Sequence, residues 1–207
     1  MALLQVLSTY RSSIQEAQSF ILLAYKQDPA GNYVHTQIER DFITASAFLR
    51  IFIAWETFLE SSFLYYMTGE PSCTGNNITR FVSPIDILHA NKLLIGTQKY
   101  VDWSNPDIIK RLSKLYFHTG FPYDTYIGSI QEDLTDLKTV RNAAAHLTST
   151  TSQQLDGLSS RKLRRQVRNI SVAQFVLSLE PSINPPITIL DNYLIKLDIA
   201  AEGIANG

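Results

Sequence analysis

The chain has 207 residues, 45% hydrophobic and 18% charged: enough apolar content to bury a core, and too little charge to keep the chain disordered. A formal net charge of -1 at pH 7 excludes binding to nucleic acid or membrane through an overall field, so a polyanion must find a local basic patch. Cys73 is the only cysteine, which excludes an internal disulfide framework and a cysteine-based zinc cluster within one chain and fits a reducing, cytoplasmic setting.

The N-terminal segment MALLQVLSTYR lacks the basic start and small-residue cleavage site of a signal peptide, so secretion is not expected and the Asn77-Ile78-Thr79 sequon carries no meaning. Leu3, Leu7, Tyr10, Ile14, Ala17 and Ile21 recur at intervals of four and three, which predicts a helix ending near Lys26. Asp28-Pro29-Ala30-Gly31-Asn32 turns the chain. A long helix is expected from about His35 to Met67, with Phe48, Phe52, Trp55, Leu59 and Phe63 on one face and Gly69 and Pro71 stopping it. Its most apolar run has the length of a membrane span but carries Arg50, Glu56 and Glu60, so it reads as a core helix, and no membrane partner is expected. Glu56 and Glu60 read as a solvated edge, and Tyr65 and Tyr66 as packing residues rather than base-stacking platforms.

Ser83-Pro84 with Asp86, and Asn105-Pro106-Asp107, carry the signals of helix starts. After a Gly120-Phe121-Pro122 turn, Ile127, Ile130, Leu134, Leu137, Val140, Ala144 and Leu147 mark one continuous helix. Thr151 with Gln154, and Ser171 with Gln174, have capping-box spacing and open two shorter helices. Pro181, Pro185 and Pro186 precede a final helix carrying Ile187, Leu190, Leu194, Leu197 and Ile204. No strand pattern, repeat or low-complexity tract competes, so the fold class is all-α. One domain is expected over 1–207, with a core bundle of roughly 1–70 and 124–207 and an elaboration of roughly 72–123.

No phosphate-binding glycine loop, H-E-x-x-H, C-x-x-C or G-x-S-x-G motif occurs. His35, His89, His118 and His146 are too scattered for ligand spacing, so no metal site is expected. The segment that carries chemistry is RNAAAH, Arg141 to His146. On a helix Asn142 and His146 share a face, while Arg141 lies about 140° around and about 7.5 Å along the axis from His146, within reach of a long side chain. Cleaving RNA without a metal needs a group to take the 2′-hydroxyl proton, a cation on the scissile phosphate and a donor for the leaving 5′-oxygen. His146 suits proton transfer, because an ordinary imidazole titrates near neutral pH. Arg141 offers a permanently charged fork for phosphate oxygens, and Asn142 can orient either partner. The methyl-sized Ala143, Ala144 and Ala145 leave room for another helix to approach. Taken alone, the same residues also fit a structural helix end.

The string Asp136-Leu-Lys-Thr-Val-Arg-Asn-Ala-Ala-Ala-His146 resembles the R-x4-6-H signature of the HEPN superfamily, with the polar residue that family favours, here Asn142, directly after the arginine. Ala54-Trp55-Glu56-Thr57-Phe58-Leu59-Glu60 is similar to the aromatic-acidic helix that precedes the motif in prokaryotic branches, including an RNase-L/PrrC-like group. Tyr100 to Asn105 also looks family-like, and the resemblance runs in order from roughly residue 40 to 150. It implies a HEPN-like up-and-down helical bundle with additional short helices and a homodimer that places two motifs at one cleft. It further implies metal-independent RNA cleavage in a toxin-antitoxin or antiphage setting, with an antitoxin protein as partner and no cofactor. Arg141, Asn142 and His146 become the catalytic set, and two copies of His146 would divide the roles of base and acid.

Arg161, Arg164, Arg165 and Arg168 fall at helical spacing, and Lys162 adds a fifth cation, which predicts one strongly basic helix face for RNA backbone contact. Removing those five leaves 13 Lys and Arg against 19 Asp and Glu, a net charge of -6 elsewhere. Two other readings stay open. The chain could be a non-catalytic HEPN module that binds RNA, a nucleotide or a partner protein, or a helical adaptor in which Arg141 and His146 serve structure.

Overall fold

The three-four apolar rhythm near the N-terminus forms a helix. In the computed structural model, which describes residues 2–97, 99–146 and 148–207, α1 spans Ala2–Ala24 and buries Leu3, Leu7, Tyr10, Ala17 and Ile21. Asp28 then reverses the chain, its carboxylate accepting the backbone N–H groups of Ala30 at 2.8 Å and Asn32 at 2.9 Å. The turn delivers the chain to α2, Gln37–Thr68. Thr36 and Glu39 cap its start reciprocally: the Thr36 N–H donates to Glu39 Oε2 at 2.7 Å, and the Glu39 N–H to Thr36 Oγ1 at 3.3 Å. Phe48, Phe52, Trp55, Leu59 and Phe63 are all buried, as their spacing predicts. The helix is long and apolar enough to cross a membrane by length and composition, and 44% of its most apolar window is buried.

The remaining helices are α3 (Ile87–Ile95), α4 (Pro106–Tyr116), α5 (Tyr123–Ser129), α6 (Gln131–Ala145), α7 (Ser149–Lys162), α8 (Val172–Val176) and α9 (Ile189–Asn206). Among the described residues the fold is all-α, with isolated bridges and no strand. Asn105 caps α4 with Pro106 in its first turn, and Ser171 and Gln174 form the capping box of α8.

Three local expectations are corrected. The cap of α3 is Asp86, which accepts the His89 N–H at 2.7 Å, so Pro84 precedes the helix rather than opening it. The cap of α7 is Thr148, not Thr151, because Thr151 takes the third helical position and its hydroxyl reaches back where a Gln or Glu side chain usually does. The continuous helix expected from Ile127 is two helices, broken at Ile130. Gly128, Ser129 and Ile130 are weak helix formers, and the Gln131 side chain is fixed to α4, accepting from Lys110 Nζ at 3.0 Å and donating to Asp107 at 3.0 Å. The expected core position Leu147 lies outside the described residues.

The chain forms two compact units. The first comprises Met1–Arg11, Ala54–Thr135 and Lys196–Gly207; the second comprises Ser12–Ile53 and Asp136–Ile195. In the first, Phe63 lies 4.8 Å from the Phe117 ring, 4.9 Å from Tyr123 and 5.5 Å from Trp103. Each large ring buried this way stabilises the fold by about 1.5–3 kcal/mol. Burial pushes the Tyr123 phenol well up, so it keeps its proton and donates to Ser62 Oγ at 2.9 Å. Gly203 of α9 packs so tightly that an added Cβ would lie 2.2 Å from the Tyr126 ring. Gly203→Ala is therefore expected to lower stability by about 2 kcal/mol in a denaturant melt.

Candidate functional site

Arg141, Asn142 and His146 occupy the C-terminal end of α6 in the second unit. The helix stops at Ala145, and the His146 N–H donates to the Asn142 carbonyl at 2.9 Å, so the histidine sits just beyond the last helical residue. Its own carbonyl accepts from the Thr148 N–H at 3.0 Å and from Thr151 Oγ1 at 2.5 Å, which fixes its backbone between α6 and the cap of α7. Ala143, not Ala144, is the buried alanine of the run.

The three side chains differ in setting. Arg141 and Asn142 are half-buried and His146 is exposed. Arg141 Nη1 donates to Asn142 Oδ1 at 3.3 Å, so the asparagine orients the guanidinium. The imidazole takes no part in that bond. Among the described residues Arg141 has no carboxylate partner and the His146 ring has no hydrogen-bond partner.

The predicted basic face is not one helix face. Helix α7 ends at Lys162, and Arg164 adopts a left-handed backbone with φ 52°, so Arg164, Arg165 and Arg168 lie on a loop. The loop folds back because α7 holds its backbone. Ser160 Oγ accepts the Val167 N–H at 3.0 Å, and the Asp156 carboxylate accepts the N–H groups of Asn169 at 2.9 Å and Ile170 at 3.1 Å. Asp156→Ala removes both of those bonds; we expect a stability loss of about 1–2 kcal/mol, with faster hydrogen exchange confined to residues 163–171.

Arg161 and Lys162 have a different occupation. Asp136, 3% exposed, receives a hydrogen bond from Arg161 Nη2, another from Lys162 Nζ at 3.0 Å and a third from the Tyr193 hydroxyl at 3.3 Å. The Lys162 ammonium also lies 5.3 Å from the centre of the Tyr193 ring. A buried carboxylate needs such partners, and these two cations are committed to it. Of the loop arginines, Arg164 donates to Ser182 Oγ at 3.1 Å, and Arg164, Arg165 and Arg168 are exposed.

Two features carried no sequence signal of their role. Asp136 opens the motif string, yet its three partners lie between 25 and 57 residues away. In the first unit, His118, Asn76, Asn77, Thr79 and Phe121 line a cavity of about 440 Å³, and the adjoining Thr119 has φ 59°, a conformation no residue pattern announces. Arg141, Asn142 and His146 do not line that cavity. Comparison with protein-family models, with curated proteins and with solved structures returned no match.

Proposed function

We propose that this chain is a HEPN-type, metal-independent endoribonuclease that acts as a homodimer, with Arg141, Asn142 and His146 at the cleavage site. The observation that carries this is one helix end presenting an exposed imidazole and a guanidinium with no carboxylate partner among the described residues, in the order of the R-x4-6-H motif. Structural arginines and histidines at helix ends usually bond to carbonyls or acids.

In the proposed reaction, His146 of one copy takes the 2′-hydroxyl proton and the 2′-oxygen attacks phosphorus. The bond from phosphorus to the 5′-oxygen breaks with its electron pair on that oxygen, which receives a proton from the second copy's His146. The products are a 2′,3′-cyclic phosphate and a 5′-hydroxyl. Arg141 holds the non-bridging oxygens as charge accumulates. Arg164, Arg165 and Arg168 supply RNA backbone contact from a loop rather than a helix face. A toxin-antitoxin or antiphage role, with an antitoxin covering the site, belongs to the same proposal. The test is incubation of RNA with the purified chain in EDTA: fragments ending in cyclic phosphate are expected, and intact RNA at every protein concentration would refute it.

The Arg141–Asn142 hydrogen bond favours one competing reading, a non-catalytic module for RNA, a nucleotide or a protein partner. A guanidinium held by its neighbour can grip phosphate without any proton transfer. Salt-dependent RNA binding that leaves the RNA intact would decide for it.

A further inference from the structure

Helix α2 has a second apolar row, on the face away from its core contacts. Ile38, Phe42 and Ile53 are 82%, 72% and 58% exposed. The half-buried Ala45, Ser46 and Leu49 fill the interval between them. These six positions fall within about 100° of one another on the helix and extend about 22 Å along it. Across the helix, Thr44, Ala47 and Ile51 are buried, and the buried Phe48 and Phe52 bound the row on one flank, so the outer row is not the core face. A contiguous apolar row of this length usually marks an interaction surface.

The row is symmetric about the point between Ala45 and Ser46. Phe42 and Leu49 are equidistant from that point, and so are Ile38 and Ile53. A two-fold contact demands such a pattern, because wherever residue i meets j, j must meet i. The flanking charges fit the same symmetry. On the helical wheel Glu39 and Arg50 lie on one flank of the row and Asp41 on the other. Two antiparallel helices related by a two-fold axis set like flanks together, bringing Glu39 to within about 3 Å of the partner's Arg50 along the axis. A parallel arrangement would instead set Glu39 against Asp41, acid beside acid, and leave Arg50 unmatched. Within the chain, Arg50 stacks its guanidinium 5.3 Å from the centre of the Phe20 ring and reaches Glu16 at 3.9 Å, with both charged side chains 56% exposed, so the ion pair is weak and leaves the head group open to a further carboxylate. Glu39 caps α2 through Oε2, which accepts from the Thr36 N–H and hydroxyl, and among the described residues Oε1 takes no hydrogen bond.

We propose that this row is the docking surface for a second copy of the chain, whose α2 crosses it antiparallel about a two-fold axis beside Ala45 and Ser46. Phe42 packs on the partner's Leu49, Ile38 on the partner's Ile53, and the small central residues let the helices approach to about 8–10 Å. The inference goes beyond the homodimer proposed above by placing its contact on α2: a dimer that survives Phe42→Asp overturns this placement and leaves the nuclease reading standing, whereas RNA left intact overturns only the nuclease.

Light scattering is expected to give about twice the 23.4 kDa chain mass. Phe42→Asp should return the single-chain mass with an unchanged helical spectrum and melting temperature, since that side chain is exposed in one chain. In a Cys73→Ser background, Ser46→Cys should join to itself through a short bis-maleimide. Ile38→Cys should not join to itself, but should join to Ile53→Cys when the two are mixed. A wild-type monomer, a Phe42→Asp dimer, self-linking of Ile38→Cys, or a monomer that binds lipid vesicles through this face would each overturn the proposal.

Discussion

His146→Ala is expected to slow RNA cleavage in EDTA by about 10²–10⁴-fold, the usual worth of a positioned acid-base group, while leaving the melting temperature where it was. The second half of that expectation comes from geometry. The imidazole is exposed and without a hydrogen-bond partner among the described residues. The bonds that hold residue 146 run through its backbone N–H and carbonyl, and alanine keeps both. A surface substitution of this kind normally moves stability by less than about 0.5 kcal/mol. The two readouts therefore separate catalysis from architecture. Full cleavage by His146→Ala would remove the histidine from the chemistry, and a large drop in melting temperature would favour the helical adaptor.

Arg141→Ala should match His146→Ala in rate, because charge on the scissile phosphate builds toward the transition state. Arg164→Glu with Arg165→Glu should act differently. It should weaken RNA binding and flatten its salt dependence, with a smaller loss once RNA is saturating. If the loop variant abolishes binding while His146→Ala changes nothing, the site is a binding module. Equal damage from both, with no change in melting, is what a nuclease with an arginine-lined approach would give.

Local signals in the sequence marked the parts of this fold that local chemistry controls. Helix α2 and its buried aromatic face follow from three-four spacing, and Asn105 and Ser171 announce their helices because a cap is a contact between residues two or three apart. The break at Ile130 escaped the same logic: Ile127, Ile130 and Leu134 keep a helical rhythm across it, and the side chain that fixes the junction, Gln131, is held by residues more than twenty positions earlier. The motif's place at one helix end was legible from the helical rhythm that leads up to it. The basic face was not, because periodicity cannot see that Asp156 and Ser160 would capture the backbone beyond Lys162 and turn the chain out of the helix. Nor could spacing show that Asp136, five residues before Arg141, would take Arg161 and Lys162 out of the supply of cations.

That buried carboxylate makes the largest stability prediction. Asp136→Ala should destabilise the chain by about 3–5 kcal/mol, the range for breaking a buried ion pair from one side. The lower end is expected, because the Arg161 side chain is 51% exposed and can turn to solvent, whereas that of Lys162 is 16% exposed and cannot turn so easily. Asp136→Asn keeps an acceptor for the Tyr193 hydroxyl and should lose less. The double variant Asp136→Leu with Lys162→Met should recover much of the loss, since it removes the stranded charge along with its partner. Urea midpoints for the four proteins measure this directly. If Asp136→Ala unfolds at the wild-type midpoint, the three contacts to this carboxylate contribute nothing net to stability. If it falls as expected, α6 is tied to the end of α7 one and a half turns before the motif, and RNA cleavage should be more sensitive to Asp136→Asn than its modest melting shift predicts.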